Sequence, residues 1–239
     1  MRKSIFSIFF ILTFFIAHSQ RNNYLQKGLS AEQNLAAIGN LTPYTAGGVG
    51  FDSRYEGIKG SSRLLDTLLP SFLKVRGQNY YIQMETDIDL FNNALIFTHP
   101  KTRELLSIPA DIVEEVVINQ ERKELIYRTS RGKAFGKDVD GIKFYQVLLD
   151  IPVQFIKMPV KIFIEADYKG AYSYDRRYDE FKTNYRYYLM GSDSIFHQVR
   201  LNRKSFLRLY PEKKEIIDDM AGTKSDFDED RVVNLLKKF

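Results

Sequence analysis

Short hydrophobic runs separated by turn residues dominate the chain from Ser71 onward. They are rich in Val, Ile, Phe and Tyr, and several alternate apolar and polar positions with a period of two. In chain order they read SFLKV, NYYIQMET, ALIFTH, ELLSIP, VEEVVIN, ELIYRT, FYQVLLD, VQFIKMPVKIFIEAD, YRYYLM and SIFHQV. Closely spaced runs of this kind predict a mainly antiparallel sheet, bent into a sandwich or a partly closed barrel. Pro159, in the longest run, predicts a sheet edge or a break between two strands.

The pattern changes to helical spacing after Asn202. In "FLRLYPEKKEIIDDM", Pro211 suits a first helical turn, and Ile216 and Ile217 belong to an apolar stripe. The last segment, "DEDRVVNLLKKF", begins with acids and ends with lysines, which the helix dipole favours. The sequence therefore predicts two or three amphipathic helices over about 202–239. Together with the sheet they form a single α+β domain over 61–239.

The first nineteen residues have the pattern of a secretory signal peptide. Arg2 and Lys3 precede a short apolar run, and Ala17-His18-Ser19 supplies the small-x-small pattern that a signal peptidase reads. We expect cleavage between Ser19 and Gln20. The run is shorter than the roughly 20 apolar residues that a membrane-spanning helix needs, and we expect no such segment in the mature chain. We therefore expect export to the periplasm or to the periplasmic face of the outer membrane, with full secretion as an alternative.

Residues 20–60 are polar and rich in glycine, and they predict an extended lead-in arm. Ser30 is a suitable cap for one short helix, from Ser30 to Ile38. The chain contains no cysteine, which rules out disulfides and a lipid anchor on Cys. The fold must therefore be held together by its core, which a chain of this length can supply.

The charge balance argues against nucleic acid as a partner. The formal net charge is +5, and it falls to +3 when the two basic residues of the leader are removed. This small excess is spread along the chain, whereas nucleic-acid binders carry a concentrated basic patch.

The sequence lacks the local motifs of common reaction centres. The mature chain has only His99 and His197, and neither stands in a metal-ligand pair. The acids of "DFDED" and "DIDLFNN" fail the positions that a helix–loop–helix calcium loop requires. We therefore expect no metal, no cofactor and no catalysis. A hydrolase with two carboxylates in a groove stays open as a weaker alternative, because sequence does not reveal such a pair.

The stretch "DYKGAYSYDRRYDEFKTNYRYYL" is the most distinctive chemical feature. In one interpretation its tyrosines pack across strands, with "YSYDRRYDEFKTN" as a charged hairpin connection and Tyr185 and Tyr187 on one face of a strand. In the other it forms an exposed tyrosine and arginine patch that binds a protein partner or stacks on sugar rings. The candidate binding residues are Tyr172, Tyr174, Arg176, Arg177, Tyr178, Tyr185 and Tyr187.

Three stretches resemble a family of uncharacterised secreted proteins from Bacteroidota. They are "YEGIKGSSRLLDTLLPSFLKV", "YYIQMETDIDLFNNALIF" and "RLNRKSFLRLYPEKKEIIDDM", and the likeness covers about 51–239. The resemblance implies strands followed by terminal helices in an exported protein, and it implies no activity. Asp66-Thr67-Leu68 and Asp193-Ser194-Ile195 also resemble the D-[ST]-aliphatic sites that Bacteroidota O-glycosylate, which makes Thr67 and Ser194 candidate modification sites.

These features favour a non-catalytic envelope protein, an accessory subunit that binds a protein partner at the outer membrane. The lead-in arm and the tyrosine-arginine hairpin are the expected contact elements. A glycan-binding module that uses the same tyrosines is the alternative.

Overall fold

The computed structural model describes residues 27–45, 58–136, 139–166, 178–221 and 227–239. Ten strands form within them, and each corresponds to one of the ten hydrophobic runs. They are β1 (Leu69–Val75), β2 (Ile82–Asp89), β3 (Ala94–Thr98), β4 (Leu105–Pro109), β5 (Val113–Gln120), β6 (Lys123–Thr129), β7 (Phe144–Leu149), β8 (Phe155–Ile164), β9 (Glu180–Met190) and β10 (Phe196–Val199).

Strand β9 is longer than the sequence pattern indicates. The segment "EFKTN", predicted as part of a hairpin connection, forms the first half of the strand, so that prediction was wrong. Its residues pair one by one with the second half of β8, from Glu180 opposite Ile164 to Asn184 opposite Val160. Cross-strand pairing therefore extends a strand through residues whose own composition is that of a loop.

Within the described residues, four α-helices accompany the sheet: α1 (Ala31–Gly39), α2 (Arg203–Leu209), α3 (Lys214–Ala221) and α4 (Glu229–Leu236). The predicted short helix after Ser30 is confirmed. Ser30 and Gln33 form a capping box, in which each side chain accepts a hydrogen bond from the other residue's backbone N–H. Asp228 caps α4 in a similar way by accepting from the backbone N–H of Arg231. The predicted C-terminal helices are α2, α3 and α4.

All ten strands belong to one antiparallel sheet, in the order β10-β9-β8-β7-β6-β5-β1-β2-β3-β4. Strands β5 to β10 follow one another as a meander, whereas β5 returns from the β4 edge to pair with β1. The predicted α+β fold with a mainly antiparallel sheet is confirmed. The sheet is neither closed into a barrel nor divided into the two layers of a sandwich.

One face of the sheet carries helices at both ends. A row of successive cross-strand partners shows that the two helical regions cover the same face: Leu73, Val116, Tyr127, Gln146, Lys157, Tyr187 and Val199. Helix α1 packs through Ala37 and Ile38 into the apolar cluster that contains Leu73. Helices α2 to α4 pack into a separate cluster that contains Val199. We call this side the helix-covered face.

The opposite face has smaller apolar clusters. The larger of them joins Tyr145, Ile156, Met158, Tyr188 and Phe196. Phe135 completes it from a segment outside the strands, and its ring stacks on Phe196 with centroids 4.8 Å apart. Backbone hydrogen bonds of the same segment also cover the edge of β10, where Phe196 N–H donates to the carbonyl of Ala134.

The described part of the predicted lead-in arm, 27–45, packs on the sheet. The side chain of Asn34 makes two hydrogen bonds to the backbone of Gln83 in β2, at 2.6 and 2.7 Å. The carbonyl of Lys27 accepts from the backbone N–H of Tyr81. These contacts satisfy backbone groups of β2 that lie beyond the end of its pairing with β3. Residues 27–45 therefore contribute to the domain's own packing.

Candidate binding site

The structure describes three of the seven candidate tyrosines and arginines. Tyr178, two residues before β9, is 68% exposed, and Tyr185, within β9, is 51% exposed. Tyr187 is half-buried, with its ring stacked on Phe155 at 6.0 Å. The candidates outside the described residues are Tyr172, Tyr174, Arg176 and Arg177, together with the predicted cleavage residues Ser19 and Gln20.

The β8–β9 hairpin extends past both of its neighbours in the sheet. Strand β7 pairs with β8 only as far as Lys157, and β10 pairs with β9 only from Tyr187 onward. Residues 158–164 and 180–186 therefore pair mainly with each other, and we call them the projecting hairpin. Pro159 lies in this part of β8, where its missing N–H costs no bond to β7, in agreement with its predicted edge position.

A segment before β1 ties the projecting hairpin to β2. Lys59 exchanges backbone hydrogen bonds with β9 and the residue before it, donating to the carbonyl of Asp179 and accepting from Phe181 N–H. Five residues on, Leu64 N–H donates to the carbonyl of Ile88 in β2. We call residues 59–64 the strap. Gly60 has a φ of +80°, and a Cβ there would lie 2.8 Å from the Phe181 carbonyl oxygen, so the strap requires glycine.

The middle of the helix-covered face is polar. Tyr127, Gln146, Lys157 and Tyr187 are successive cross-strand partners on β6, β7, β8 and β9. Tyr127 belongs to the apolar cluster under α1 and Tyr187 packs against the one under the C-terminal helices, so Gln146 and Lys157 lie between the two clusters. Tyr185, Lys161 and Thr183 continue the same face into the projecting hairpin. We call these seven residues the polar band.

Glu229, the first residue of α4, binds the helical side of the polar band. Its Oε1 lies 2.7 Å from the ammonium of Lys157 and accepts a 2.6 Å hydrogen bond from the hydroxyl of Tyr187. The same ammonium lies 4.2 Å from the ring centroid of Tyr185, as a cation–π contact. Burial, then the hydrogen bond to Glu229, raises the pKa of the Tyr187 phenol. The carboxylate and cation thereby fix one half-buried and one half-exposed tyrosine.

Lys161 lies at the other side of the band, near the strap. Burial lowers the pKa of its ammonium, and the charges of Asp66, Asp87 and Asp89 oppose that shift. Within the described residues it takes part in no hydrogen bond or ion pair. Asp87, by contrast, is buried and fully engaged: its carboxylate accepts from Arg63 Nε at 2.9 Å and from two backbone N–H groups. Lys161 is therefore a cation in an acidic neighbourhood without a direct partner.

Tyr127 lies beneath the band and is only 3% exposed. Burial raises the pKa of its phenol, and the nearby groups of Tyr185, Asp87 and Glu229 act in the same direction. No described residue hydrogen-bonds that hydroxyl.

The sequence analysis missed Tyr127, Gln146, Lys157, Lys161, Thr183 and Glu229. A signal was present for two of them, because Gln146 and Lys157 are isolated polar residues within apolar runs. Their common position on one face follows only from the register of β6 to β9, which joins residues sixty positions apart.

A second polar network lies on the opposite face and bears on the hydrolase alternative. Arg128 donates from Nε to Glu115 at 2.7 Å and makes two 3.0 Å hydrogen bonds to the carboxylate of Asp150. Tyr81 donates to the other oxygen of Glu115 at 2.6 Å. Burial acts to raise the pKa of Asp150, but the bonds from Arg128 outweigh it and lower that pKa. This pairing stabilises the ionised carboxylate, whereas a general acid must hold its proton.

The two candidate glycosylation residues are exposed. Thr67 follows Asp66, which has a φ of 60°, and Ser194 itself has a φ of 61° in the turn between β9 and β10. Asp193 in that turn accepts from the backbone N–H of Ile195. Exposure is what a modifying enzyme requires, and modification of Thr67 and Ser194 stays a prediction. Intact mass spectrometry of native protein, with a shift for added hexose, checks it.

Among the described residues, no group of three or more His, Asp or Glu side chains is arranged to hold a metal ion. In the same residues, no helix has the length and apolar character needed to cross a membrane. Comparison of the chain with protein-family models, with curated proteins and with solved structures finds no match.

Proposed function

We propose that the protein is a non-catalytic, exported envelope protein, an accessory subunit that binds a protein partner at the outer membrane through the projecting hairpin. Export is supported by the pattern of residues 1–19, with two basic residues, an apolar run and a small-x-small site. Partner binding is supported by the shape and exposure of the hairpin.

The observation that carries the proposal is the concentration of exposed apolar side chains on this hairpin. Ile162, Tyr178 and Tyr185 are three of the seven large hydrophobic residues that are exposed in the described chain. A fourth, Phe91, packs its ring against Phe181 of the hairpin at 5.3 Å. Strand alternation puts Ile162 and Tyr185 on opposite faces of the hairpin, so a partner that contacts both must contact the projecting element from two sides. Exposed apolar residues are typical of interaction sites, and tyrosine is enriched at binding hot spots.

A pull-down in mild detergent from the native envelope tests the proposal. Tagged wild-type protein should recover a stoichiometric outer-membrane partner, and the double variant Ile162→Ser with Tyr178→Ala should lose it. Tyr44→Ala is the matched control, because Tyr44 is 50% exposed but lies after α1, away from the hairpin. Recovery of a monomer without a partner, or equal loss of the partner in the Tyr44 variant, would contradict partner binding through the hairpin.

Glycan binding is a second candidate function, which the ring of Tyr185 favours. This ring is half-exposed, and Lys157 and its β9 pairing hold it in place. A fixed and accessible aromatic face can stack on the C–H face of a sugar ring with little loss of side-chain entropy. The hydrolase alternative stays a prediction for which the Arg128 network gives no support.

A further inference from the structure

The polar band contains more hydrogen-bonding groups than the described residues satisfy. Each of the following polar groups has no hydrogen-bond partner among them: the hydroxyls of Tyr127, Tyr185 and Thr183, the amide of Gln146 and the ammonium of Lys161. All five project from one face of four adjacent strands, β6 to β9. Four of the five belong to half-exposed or exposed residues, so a ligand that approaches this face from solvent meets several open hydrogen-bonding groups side by side.

Tyr127 gives the strongest indication of a ligand. The residue is only 3% exposed and its ring belongs to the apolar cluster under α1, but its hydroxyl is not one of the fully buried unpaired atoms, so a ligand on the band can reach it. Its cross-strand neighbour on the face is Gln146, one strand away. A phenylalanine would fill the same space without a polar group to satisfy. The retained hydroxyl is therefore explained best by a group that binds there.

The chemistry of the band favours a neutral, hydroxyl-rich ligand. Hydroxyl and amide groups both donate and accept, which suits a partner whose own groups do the same. The ring of Tyr185 offers an aromatic face. An anion is disfavoured because Lys157 is already paired with Glu229 at 2.7 Å, and because the charges of Asp66, Asp87 and Asp89 act on Lys161. Sugars combine these properties, with many hydroxyls and an apolar C–H face.

We propose that the polar band is a binding site for a neutral saccharide, which stacks on Tyr185 and receives hydrogen bonds from Tyr127, Gln146 and Lys161. The inference rests on the second candidate function and is independent of partner binding at Ile162 and Tyr178. It assigns the ligand to the helix-covered face, between the two apolar clusters.

Calorimetric titration of the protein from Gln20 onward with chitotetraose and with maltotetraose tests the site. At least one should bind, and a tetramer of galacturonic acid should bind more weakly. Tyr127→Phe removes only the hydroxyl and should weaken binding about fivefold, the effect of one lost hydrogen bond. Tyr185→Ala should weaken it by about tenfold or more, through loss of stacking. Tyr44→Ala, at nearly equal exposure to Tyr185, should leave affinity unchanged.

Three results would overturn the proposal. Absence of binding to both neutral tetramers would remove the saccharide site and glycan binding together. Binding that survives both Tyr127→Phe and Tyr185→Ala would leave glycan binding intact but place it elsewhere. Preference for the galacturonate tetramer would show that the ligand is anionic. A thermal unfolding curve for each variant establishes that lost affinity is not lost folding.

Discussion

The two halves of the helix-covered face differ in chemistry although they belong to the same rows of the sheet. Under α1, β1 and β5 contribute Leu73 and Val116, both completely buried among apolar neighbours. Two strands further along the same row, the residues are Gln146 and Lys157, followed by Tyr187. A sheet stabilised by its apolar half can carry a polar half that contributes little to folding. We interpret the apolar half as the part that stabilises the fold and the polar half as the part that forms the binding site.

The largest expected effect is at the apolar half. Leu73→Ala removes a fully buried side chain from the cluster that joins α1 to the sheet. It should lower the free energy of unfolding by about 2–5 kcal/mol, through lost transfer energy and the cavity left behind. Urea unfolding followed by circular dichroism measures this. A loss below about 1 kcal/mol would show that the apolar half does not hold the fold together.

Gly60→Ala tests the strap that joins the hairpin to β2. The new Cβ would lie 2.8 Å from the Phe181 carbonyl oxygen, at a φ of +80°. We expect a loss of about 1–3 kcal/mol of unfolding free energy, measured by the same urea method. Gly77→Ala is the matched control, because its φ is also +80° but no atom lies within 4 Å of the new Cβ. An equal loss of unfolding free energy in the two variants would mean that backbone strain accounts for the whole effect and that the contact between the strap and Phe181 contributes nothing.

Tyr187→Phe tests a short hydrogen bond within the polar half. It removes the 2.6 Å hydrogen bond to Glu229 and keeps the ring that stacks on Phe155. A hydrogen bond to a charged group contributes about 1.5–3 kcal/mol to stability. Because Lys157 still pairs with Glu229 in the variant, we expect the free energy of unfolding to fall by less than that, about 1 kcal/mol. Thermal unfolding measures it. A loss as large as that of Leu73→Ala would contradict the contrast between the halves.

The smallest effect concerns pH and the C-terminal helices. Hydrogen bonds from Arg203, then Lys214, lower the pKa of Asp218 to about 2. An aspartate with a lowered pKa in the folded state binds fewer protons there than when unfolded. Its contribution to stability is therefore present above about pH 4 and is lost as the pH falls toward 2. In Asp218→Asn, the unfolding temperature should fall less steeply than in wild type as the pH is lowered over this range.

The control for this pH dependence is Asp219→Asn. Asp219 is the exposed neighbour of Asp218 and has no ion pair in the described part of the chain. Its replacement should leave the acid limb of the stability curve unchanged. An acid limb that is steeper in Asp218→Asn than in wild type would contradict the role given to Arg203 and Lys214.

The sequence was sufficient to predict the strands but not their arrangement. Each run rich in Val, Ile, Phe and Tyr became a strand because local pattern and burial agree there. The return of β5 to β1 depends on contacts between segments more than forty residues apart, which no local pattern encodes.

The candidate site was predicted only in part, for a related reason. Tyr185 and Tyr187 were identified on one face of β9, and the structure shows them there. Tyr127 was not identified, because it reads as an ordinary strand tyrosine until the register sets it in line with Gln146. Glu229 reaches the site from α4, and helix docking of this kind is not visible in periodicity.

The unfolding free energy of Tyr127→Phe tests the central claim most directly, because it asks whether the Tyr127 hydroxyl serves folding or binding. If the polar band is a binding site, the hydroxyl contributes nothing to folding, and the variant should be as stable as wild type or slightly more stable. The same sample should bind the neutral tetrasaccharide more weakly. A variant that is less stable by about 1 kcal/mol or more, with unchanged saccharide affinity, would show instead that the hydroxyl is a structural group and that the polar half belongs to the fold.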